Sequence, residues 1–378
     1  MAETSTNKQS ARVASIASAD GLSHRVAFEG SAACRLPVDG DINGNPLPQV
    51  LLAEDPRQTR RALLMGMVVL RPMVTGWKAP VLSDQGQLQL PRVALCSNFA
   101  GQDGGAFLAQ GSRLDAWRLA LQYGTADAVL VGSRTVAQEG LGTLNRSGYR
   151  WQPYEPLAWP QLRESGAALL EMIAATRQRW QALGVLSSRR WPAQIVVSES
   201  GHPGAIDWLQ AEIFYASHPD GSAIETCVLT STVGATRVRK RLREQGLEHR
   251  VRVLEASLPT QPERLDLGCV PELLYRTLDI RIVNHDGGRT LHRACIRAGV
   301  LAQLQMTLMR GASVRDLVKS VPVDHVLRSR WAAEFETRAQ RYFSDSQNWL
   351  NHVRPLQILE DAWDTVVVGL DTRALRDL

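Results

Sequence analysis

The chain has 378 residues, which is enough for two ordinary domains or for one elaborated α/β domain. Its hydrophobic content of 44% and charged content of 21% are ordinary for a globular protein and exclude global disorder. The formal net charge of +5 is a mild positive balance, which suits a phosphorylated small substrate.

Cysteine spacing and hydropathy argue against a disulfide-rich protein, a zinc protein and a membrane protein. Five cysteines at positions 34, 96, 227, 269 and 295 form neither a disulfide framework nor a zinc-binding pattern, so we expect no metal and a cytoplasmic or similarly reducing compartment. The chain shows no charged-then-apolar leader and no apolar run of about 18 residues, so we also expect no membrane partner.

The predicted elements divide the chain at about residue 90. Residues 1–90 contain Gly/Asn/Pro turn clusters and a short helix at about 58–65, and we assign them to an N-terminal extension of unknown role. After residue 90, short apolar runs alternate with helical segments, which favours an α/β fold with a mostly parallel sheet buried on both faces. The predicted strands cover residues 93–96, 128–131, 195–197, 227–229, 251–254 and 280–283.

The helix after the first of these strands has a clear start signal. Ser112 is the predicted capping residue and Asp115 its acidic partner, while Leu114, Trp117 and Leu121 form the buried stripe. Further helices are predicted at 236–246, 269–278 and 315–350, and a terminal hairpin at 356–359 with 365–370.

An aromatic, proline-rich segment and an amphipathic helix at about 161–183 interrupt this alternation. They form an insertion at about 147–192, which either covers a site or an oligomer surface or has a purely structural role. The basic run at 237–243 (RVRKRLR) is either a solvated helix face or an anion-binding face. Because no aromatic residues interleave it and no nucleic-acid motif is present, we expect no nucleic-acid partner.

Residues 280–308 (IRIVNHDGGRTLHRACIRAGVLAQLQMTL) are the most informative stretch, predicted as strand, turn, helix and second strand. Asp286, Gly287 and Gly288 let the backbone turn sharply before Thr290 opens a helix, and free N–H groups at a helix start favour a phosphate. The helix is expected to bury Leu291, Ala294, Cys295 and Ala298, and the second strand Leu304, Met306 and Leu308.

Three blocks stand in a fixed order: residues 98–104 (NFAGQDG), residues 112–135 (SRLDAWRLALQYGTADAVLVGSRT) and residues 280–308. Together they resemble the reductase domain of the bacterial bifunctional riboflavin-biosynthesis deaminase/reductase, with its Ser-Leu-Asp-Gly turn, Val-Gly-x-x-Thr turn and acidic-Gly-Gly-Thr turn. The resemblance covers roughly residues 91–310 and the terminal hairpin. It implies a three-layer dihydrofolate-reductase-like fold for residues 91–378, and a homodimer.

The resemblance also implies NADPH as the cofactor. Glycines allow close backbone approach, hydroxyls donate to phosphate oxygens and arginine supplies bidentate charge. The residues implied near the phosphates are Asp286, Gly287, Gly288, Arg289 and Thr290, and those implied near the nicotinamide and ribose are Gly132, Ser133, Arg134 and Thr135. A plain strand-to-helix turn is the alternative for Gly132 and Thr135. Candidates for the adenosine 2′-phosphate are Ser198 and Ser200, or Thr230, Ser231 and Thr232 with Arg237.

Substrate residues follow from the same resemblance. Asp103 is the expected catalytic residue and, with Asn98, would bind the pyrimidine. Arg146 would bind the sugar phosphate. The alternatives are that Asp103 is an ordinary turn residue and that Arg146 is a solvent-exposed arginine. The sequence departs from the family at Gly105, at residues 138–140 and at residues 302–303. The zinc signature of the deaminase domain is missing, so deamination is not expected.

Two functions therefore stand open. The first is an NADPH-dependent reductase acting on a phosphoribosylamino-pyrimidine or a related pterin- or flavin-type precursor, in riboflavin biosynthesis or a specialised pyrimidine-derived pathway. The second is a redox-inactive protein of the same fold that binds a phosphorylated pyrimidine or nucleotide as a partner subunit.

Overall fold

The structure is a computed structural model, and it describes part of the chain. The described residues are 14–17, 23–26, 34–38, 41–42, 45–46, 50–73, 75, 88, 90, 93–95, 98–99, 102–103, 109, 112–140, 166–320, 333, 353–360 and 365–372.

Strands are labelled in chain order. They are β1 (Ala14–Ala17), β2 (Ser23–Val26), β3 (Cys34–Leu36), β4 (Asp41–Ile42), β5 (Asn45–Pro46), β6 (Val50–Leu52), β7 (Leu63–Pro72), β8 (Val93–Leu95), β9 (Asn98–Phe99), β10 (Gln102–Asp103), β11 (Ala128–Gly132), β12 (Ala193–Val197), β13 (Thr226–Thr230), β14 (Val251–Glu255), β15 (Ser257–Leu258), β16 (Gln261–Leu265), β17 (Ile282–His285), β18 (Leu301–Met309), β19 (Arg354–Glu360) and β20 (Thr365–Asp371).

Helices are labelled in the same way. They are α1 (Arg113–Gly124), α2 (Ser133–Gly140), α3 (Gly166–Ala182), α4 (Thr232–Glu244), α5 (Val270–Leu278), α6 (Arg289–Arg297) and α7 (Val314–Ser320), with short 3₁₀ turns at Trp208–Gln210, Glu212–Phe214 and Leu267–Cys269.

Most strands join one twisted sheet in the order β14-β13-β12-β11-β17-β7-β18-β20-β19-β2-β1. Each neighbouring pair from β14 to β18 is parallel, whereas β20, β19, β2 and β1 continue the sheet with antiparallel pairs. The predicted α/β fold with a mostly parallel sheet is therefore confirmed.

Alternating residues of one strand face two different cores, which shows that helices cover both faces of the sheet. In β11, Leu130 packs in a cluster that includes Leu274 of α5 and Cys295 of α6. The adjacent Val129 packs in a separate cluster with Val238 of α4 and residues of α2. The fold consequently has three layers, with the parallel strands buried from both sides.

Strand β7 corrects two of the sequence predictions. Leu63–Pro72 is a ten-residue strand between β17 and β18, so the helix predicted at 58–65 is wrong. The physical reason is burial on both faces, which gives a continuous apolar run (LLMGMVVLRP) without the alternation that identifies a half-buried strand. A segment that the sequence assigned to an N-terminal extension thus lies in the middle of the sheet.

The strand predicted at 93–96 forms, but it does not join the parallel part of the sheet. Val93–Leu95 pairs antiparallel with the last residues of β7, Leu70 to Pro72, and is not one of the parallel strands. The parallel strand that precedes α1 is β7. The remaining predicted strands are confirmed, with the first strand of the 280–308 stretch shifted to Ile282–His285.

Helix predictions hold with shifted boundaries. Ser112 caps α1 by accepting the N–H of Asp115 at 3.1 Å, as predicted. Helix α4 begins at Thr232, four residues earlier than expected, because Ser231 caps it through the N–H of Gly234 at 3.0 Å. Helix α7 confirms the start of the helix predicted over 315–350, and apart from residue 333 the rest lies outside the described residues. Strands β19 and β20 confirm the terminal hairpin.

The insertion helix α3 has a structural role. Its residues Leu169, Met172 and Ile173 pack on α1, and a Cβ added at Gly124 would lie 2.2 Å from Cγ2 of Ile173. Arg177 of the same helix donates to the carbonyl of Ala126 at 2.6 Å. The helix therefore covers α1 and the start of β11.

Candidate functional site

Two turns lie side by side at the edge where the parallel strands end. Strand β11 ends at Gly132 and α2 follows at once, while residues 286–288 connect β17 to α6. Leu130 pairs with His285, and the N–H of Asp286 donates to the carbonyl of Leu130 at 2.9 Å. The structure thus brings together both turns that the sequence assigned to the cofactor.

A helix begins at each of these turns. Helix α2 starts at Ser133, and α6 starts at Arg289 after the N-cap residue Gly288, which makes no side-chain cap. The first N–H groups of a helix have no acceptor within it, and the helix dipole adds positive potential there. Two helix starts on neighbouring strands therefore form an edge that favours an anion such as a diphosphate.

The glycines of the two turns are constrained differently. A Cβ added at Gly132 would meet no atom of the described residues within 4 Å, whereas one at Gly287 would lie 2.5 Å from Cε1 of His285 and 3.0 Å from Cβ of Leu291. Gly287 is required by the packing of the protein itself. Gly132 instead has no described residue packed against it, so a ligand could approach its backbone closely.

The remaining residues predicted near the cofactor differ in exposure. Arg134 and Thr290 are exposed, while Ser133, Thr135 and Asp286 are half-buried. All of them belong to the two turns or to the first turns of α2 and α6. The structure therefore keeps the whole predicted set at one edge of the sheet.

Two buried histidines at this edge were missed by the sequence analysis. The rings of His285 and His292 meet edge to face, with centroids 5.5 Å apart at 89°. Burial lowers the pKa of His285 to about 4, and burial together with the charge of His285 lowers the pKa of His292 to about 3. The available signal was a pair of polar residues, Asn284 and His285, at the end of an apolar strand.

The presence of His292 also corrects the predicted stripe of α6. Cys295 is buried as expected, but Ala298 is exposed, and Leu291 and Ala294 are only half-buried. The buried face turns instead toward His292, whose ring lies against β7 at Gly66, where a Cβ would be 3.0 Å from its Cε1.

A chain of buried polar side chains crosses the opposite face of the sheet. Asp115 accepts from the hydroxyl of Thr307 at 2.6 Å and from Arg118 at 3.0 Å. Gln122, one turn after Arg118, donates to Oδ1 of Asn284 at 2.7 Å. These contacts tie α1 to β17 and β18, and they fix the strand that leads into the glycine turn.

The candidate residues for the adenosine 2′-phosphate follow neighbouring strands, and some of them already form hydrogen bonds within the protein. Ser198 follows β12, next to β11, and so lies along the same edge. The hydroxyls of Thr230 and Ser231 are engaged within the protein, with the carbonyl of Glu199 at 3.1 Å and the N–H of Gly234 at 3.0 Å. Arg237 donates to the carbonyl of Ser200 at 3.0 Å.

The predicted substrate residues are only partly described. Asn98 and Asp103 are paired across the short hairpin β9–β10. This hairpin follows β8, which pairs antiparallel with the last residues of β7. Arg146 lies outside the described residues.

Three side chains in the basic run of α4 form ion pairs. Arg239 pairs with Glu255 at 2.5 Å and Lys240 with Glu244 at 3.9 Å, while Arg241 pairs with Asp207. Within the described residues, no group of three or more His, Cys, Asp or Glu side chains could hold a metal ion. No helix in the described part of the chain has the length and apolar character needed to cross a membrane.

Comparison with known proteins finds distant solved structures and no family. No family model matches the sequence, and no curated protein does so either. Similar solved structures are RibD of Acinetobacter baumannii, at 12% identity and a TM-score of 0.39, covering 83% of this chain and 58% of that one. A pyrimidine reductase-like protein of Corynebacterium diphtheriae has 14% identity and a TM-score of 0.43, covering 82% and 91%. A riboflavin biosynthesis reductase of Saccharomyces cerevisiae has 10% identity and a TM-score of 0.38, covering 83% and 91%. The match spans 58% of the length of RibD, which is less than two thirds of that chain.

Proposed function

We propose that this protein is an NADPH-dependent reductase acting on a phosphoribosylamino-pyrimidine or a related pterin- or flavin-type precursor. One observation supports the proposal most. The pairing of β11 with β17 sets two glycine turns and two helix starts at one edge of the sheet, and no described residue packs against Gly132.

The cofactor would be held by backbone and side chains together. The N–H groups at the starts of α2 and α6 would bind the diphosphate, with Arg134 and Arg289 adding positive charge. Ser198, at the end of the next strand, would meet the adenosine end. The hydroxyl donors at the two turns are Ser133, Thr135 and Thr290.

The substrate would lie across the same edge. Asn98 and Asp103 would bind the pyrimidine, and Arg146 would bind the sugar phosphate. NADPH, when bound, supplies the hydride that reduces C1′ of the ring-opened sugar and gives a ribitylamino product. The protein's part is to hold the two reactants in line, with Asp103 delivering the proton that balances the hydride.

Titration of the purified protein with NADPH, followed by nicotinamide fluorescence, tests the cofactor half of this proposal. We expect saturable binding, and oxidation of NADPH when a phosphoribosylamino-pyrimidine is added. Binding of NADPH without turnover of any such substrate would favour the redox-inactive alternative. A protein that binds a phosphorylated pyrimidine but no NADPH would overturn the proposal.

A further inference from the structure

His285 closes the glycine turn from inside the protein. It is the last residue of β17 and is fully buried, and its Nδ1 accepts the N–H of Gly287 at 3.0 Å. The neutral ring then carries its proton on Nε2. The contact joins a side chain to the N–H two residues later, the pattern by which asparagine and aspartate stabilise turns.

The ring has little freedom to leave this position. The ring of His292 meets it edge to face at 5.5 Å. Gly287 packs so closely that a Cβ there would lie 2.5 Å from Cε1 of His285. His292 is held in turn against Gly66, where a Cβ would be 3.0 Å from its Cε1. Two glycines on different elements therefore make room for the two rings.

This contact engages one backbone N–H group of the turn within the protein and leaves others for a ligand. The N–H of Gly287 points inward to His285, so it does not serve as a phosphate donor. The N–H of Asp286 is bound to the carbonyl of Leu130, and the carbonyl of Gly288 accepts the N–H of His292 at 3.1 Å. The turn is thus held at three successive residues, and the donors that remain for a phosphate are those at the start of α6.

We propose that His285 is a positioning residue, which accepts the N–H of Gly287 and so fixes the turn in the conformation that presents the start of α6 to the cofactor phosphate. This inference rests on the proposed function, since it concerns the same cofactor. The ring does not itself touch the cofactor. It acts through the backbone of residues 286–288.

Two variants of the same position separate hydrogen bonding from packing. His285→Leu removes the acceptor for the N–H of Gly287, while His285→Asn keeps a side-chain oxygen that can accept the N–H two residues later. Both substitutions replace the buried ring with a smaller side chain. His218→Leu is the matched control, because His218 is also a buried histidine, stacked on Trp191 outside the glycine turns. The measurements are the NADPH dissociation constant, the thermal midpoint and the hydrogen-exchange rate of the Gly287 amide.

We expect His285→Leu to weaken NADPH binding about tenfold, the effect of one lost buried hydrogen bond, and to speed exchange of the Gly287 amide. His285→Asn should restore slow exchange and most of the affinity, and His218→Leu should lower the thermal midpoint without changing affinity. Equal loss of affinity in both His285 variants, or full affinity in His285→Leu, would overturn the inference. If the wild-type protein binds no NADPH, the proposed function fails, and the exchange rates in the two variants still decide whether His285 fixes the turn.

Discussion

The two edges of one sheet are built differently. At the edge where the strands begin, the buried carboxylate of Asp127 accepts from the N–H and hydroxyl of Ser187 at 2.9 and 2.7 Å, and from the N–H groups of Arg281 and Ile282 at 2.8 and 3.3 Å. At the edge where the strands end, and within the residues that the structure describes, nothing packs against Gly132 and both ring nitrogens of His292 lack a partner.

The contrast shows a division between stability and function. A hydrogen-bond network joins the starts of β11 and β17 to the loop before β12. The opposite edge leaves backbone donors and space beyond the strand ends, which is where ligands bind in open α/β sheets. Substitutions at the first edge should therefore cost stability, and substitutions at the second should cost binding.

The largest effect is expected at Asp127. Asp127→Ala leaves the N–H groups of Ser187, Arg281 and Ile282 without their acceptor, so the free energy of unfolding should fall by about 4 kcal/mol. Urea denaturation measures it, and Asp127→Asn, which keeps one acceptor, should lose less. A loss below about 1 kcal/mol would contradict the role given to this edge.

Acid should weaken the other edge through its two histidines. An unfolded histidine titrates near 6.5, while the pKa values in the fold are about 4 for His285 and about 3 for His292, so the unfolded state binds more protons between these values. The contribution of the two neutral histidines to the free energy of unfolding is thus fully present above pH 6.5 and is lost as the pH falls toward 4. For His285 alone this contribution is on the order of 3 kcal/mol.

Denaturation at pH 7 and pH 4.5 checks this expectation. The double variant His285→Asn with His292→Leu has no imidazole at this site, so its stability should depend less on pH over the same interval. A double variant as sensitive to acid as the wild type would show that other groups cause the loss.

Gly132→Val tests function at the open edge without disturbing the fold. Because a Cβ there meets no neighbour within the described part of the chain, the free energy of unfolding should change by less than about 0.5 kcal/mol. NADPH affinity should fall about tenfold, or about 1.4 kcal/mol, if the cofactor occupies that space. Unchanged affinity would contradict this placement. Gly287→Val is less suitable, because its side chain would collide with His285.

The smallest effect is expected outside both edges. Arg239 and Glu255 form a half-exposed ion pair, with side chains 50% and 33% exposed. Arg239→Ala should change the free energy of unfolding by less than about 0.5 kcal/mol and leave NADPH affinity unchanged. A larger change in either quantity, measured by denaturation and titration, would give the basic face of α4 a role that its pairing does not indicate.

The order of strands and helices could largely be predicted from residues 112–310, because each element there carries a local signal. Ser112 and Asp115 mark a helix start, and the glycines of residues 286–288 mark the turn between a strand and a helix. Strand β7 could not be predicted, because a run of apolar residues buried on both faces has no strand period.

The sequence by itself determined the α/β class with a mostly parallel sheet and the positions of the glycine turns, since the hydrophobic pattern and the turn residues are properties of short segments. Only the tertiary structure decided which turns are neighbours, because the pairing of Leu130 with His285 joins segments far apart in the chain. It also decided that Gly287 is held from within by His285 while Gly132 stays open. A local pattern shows where the backbone can turn, but the space around a turn depends on the packing of distant residues.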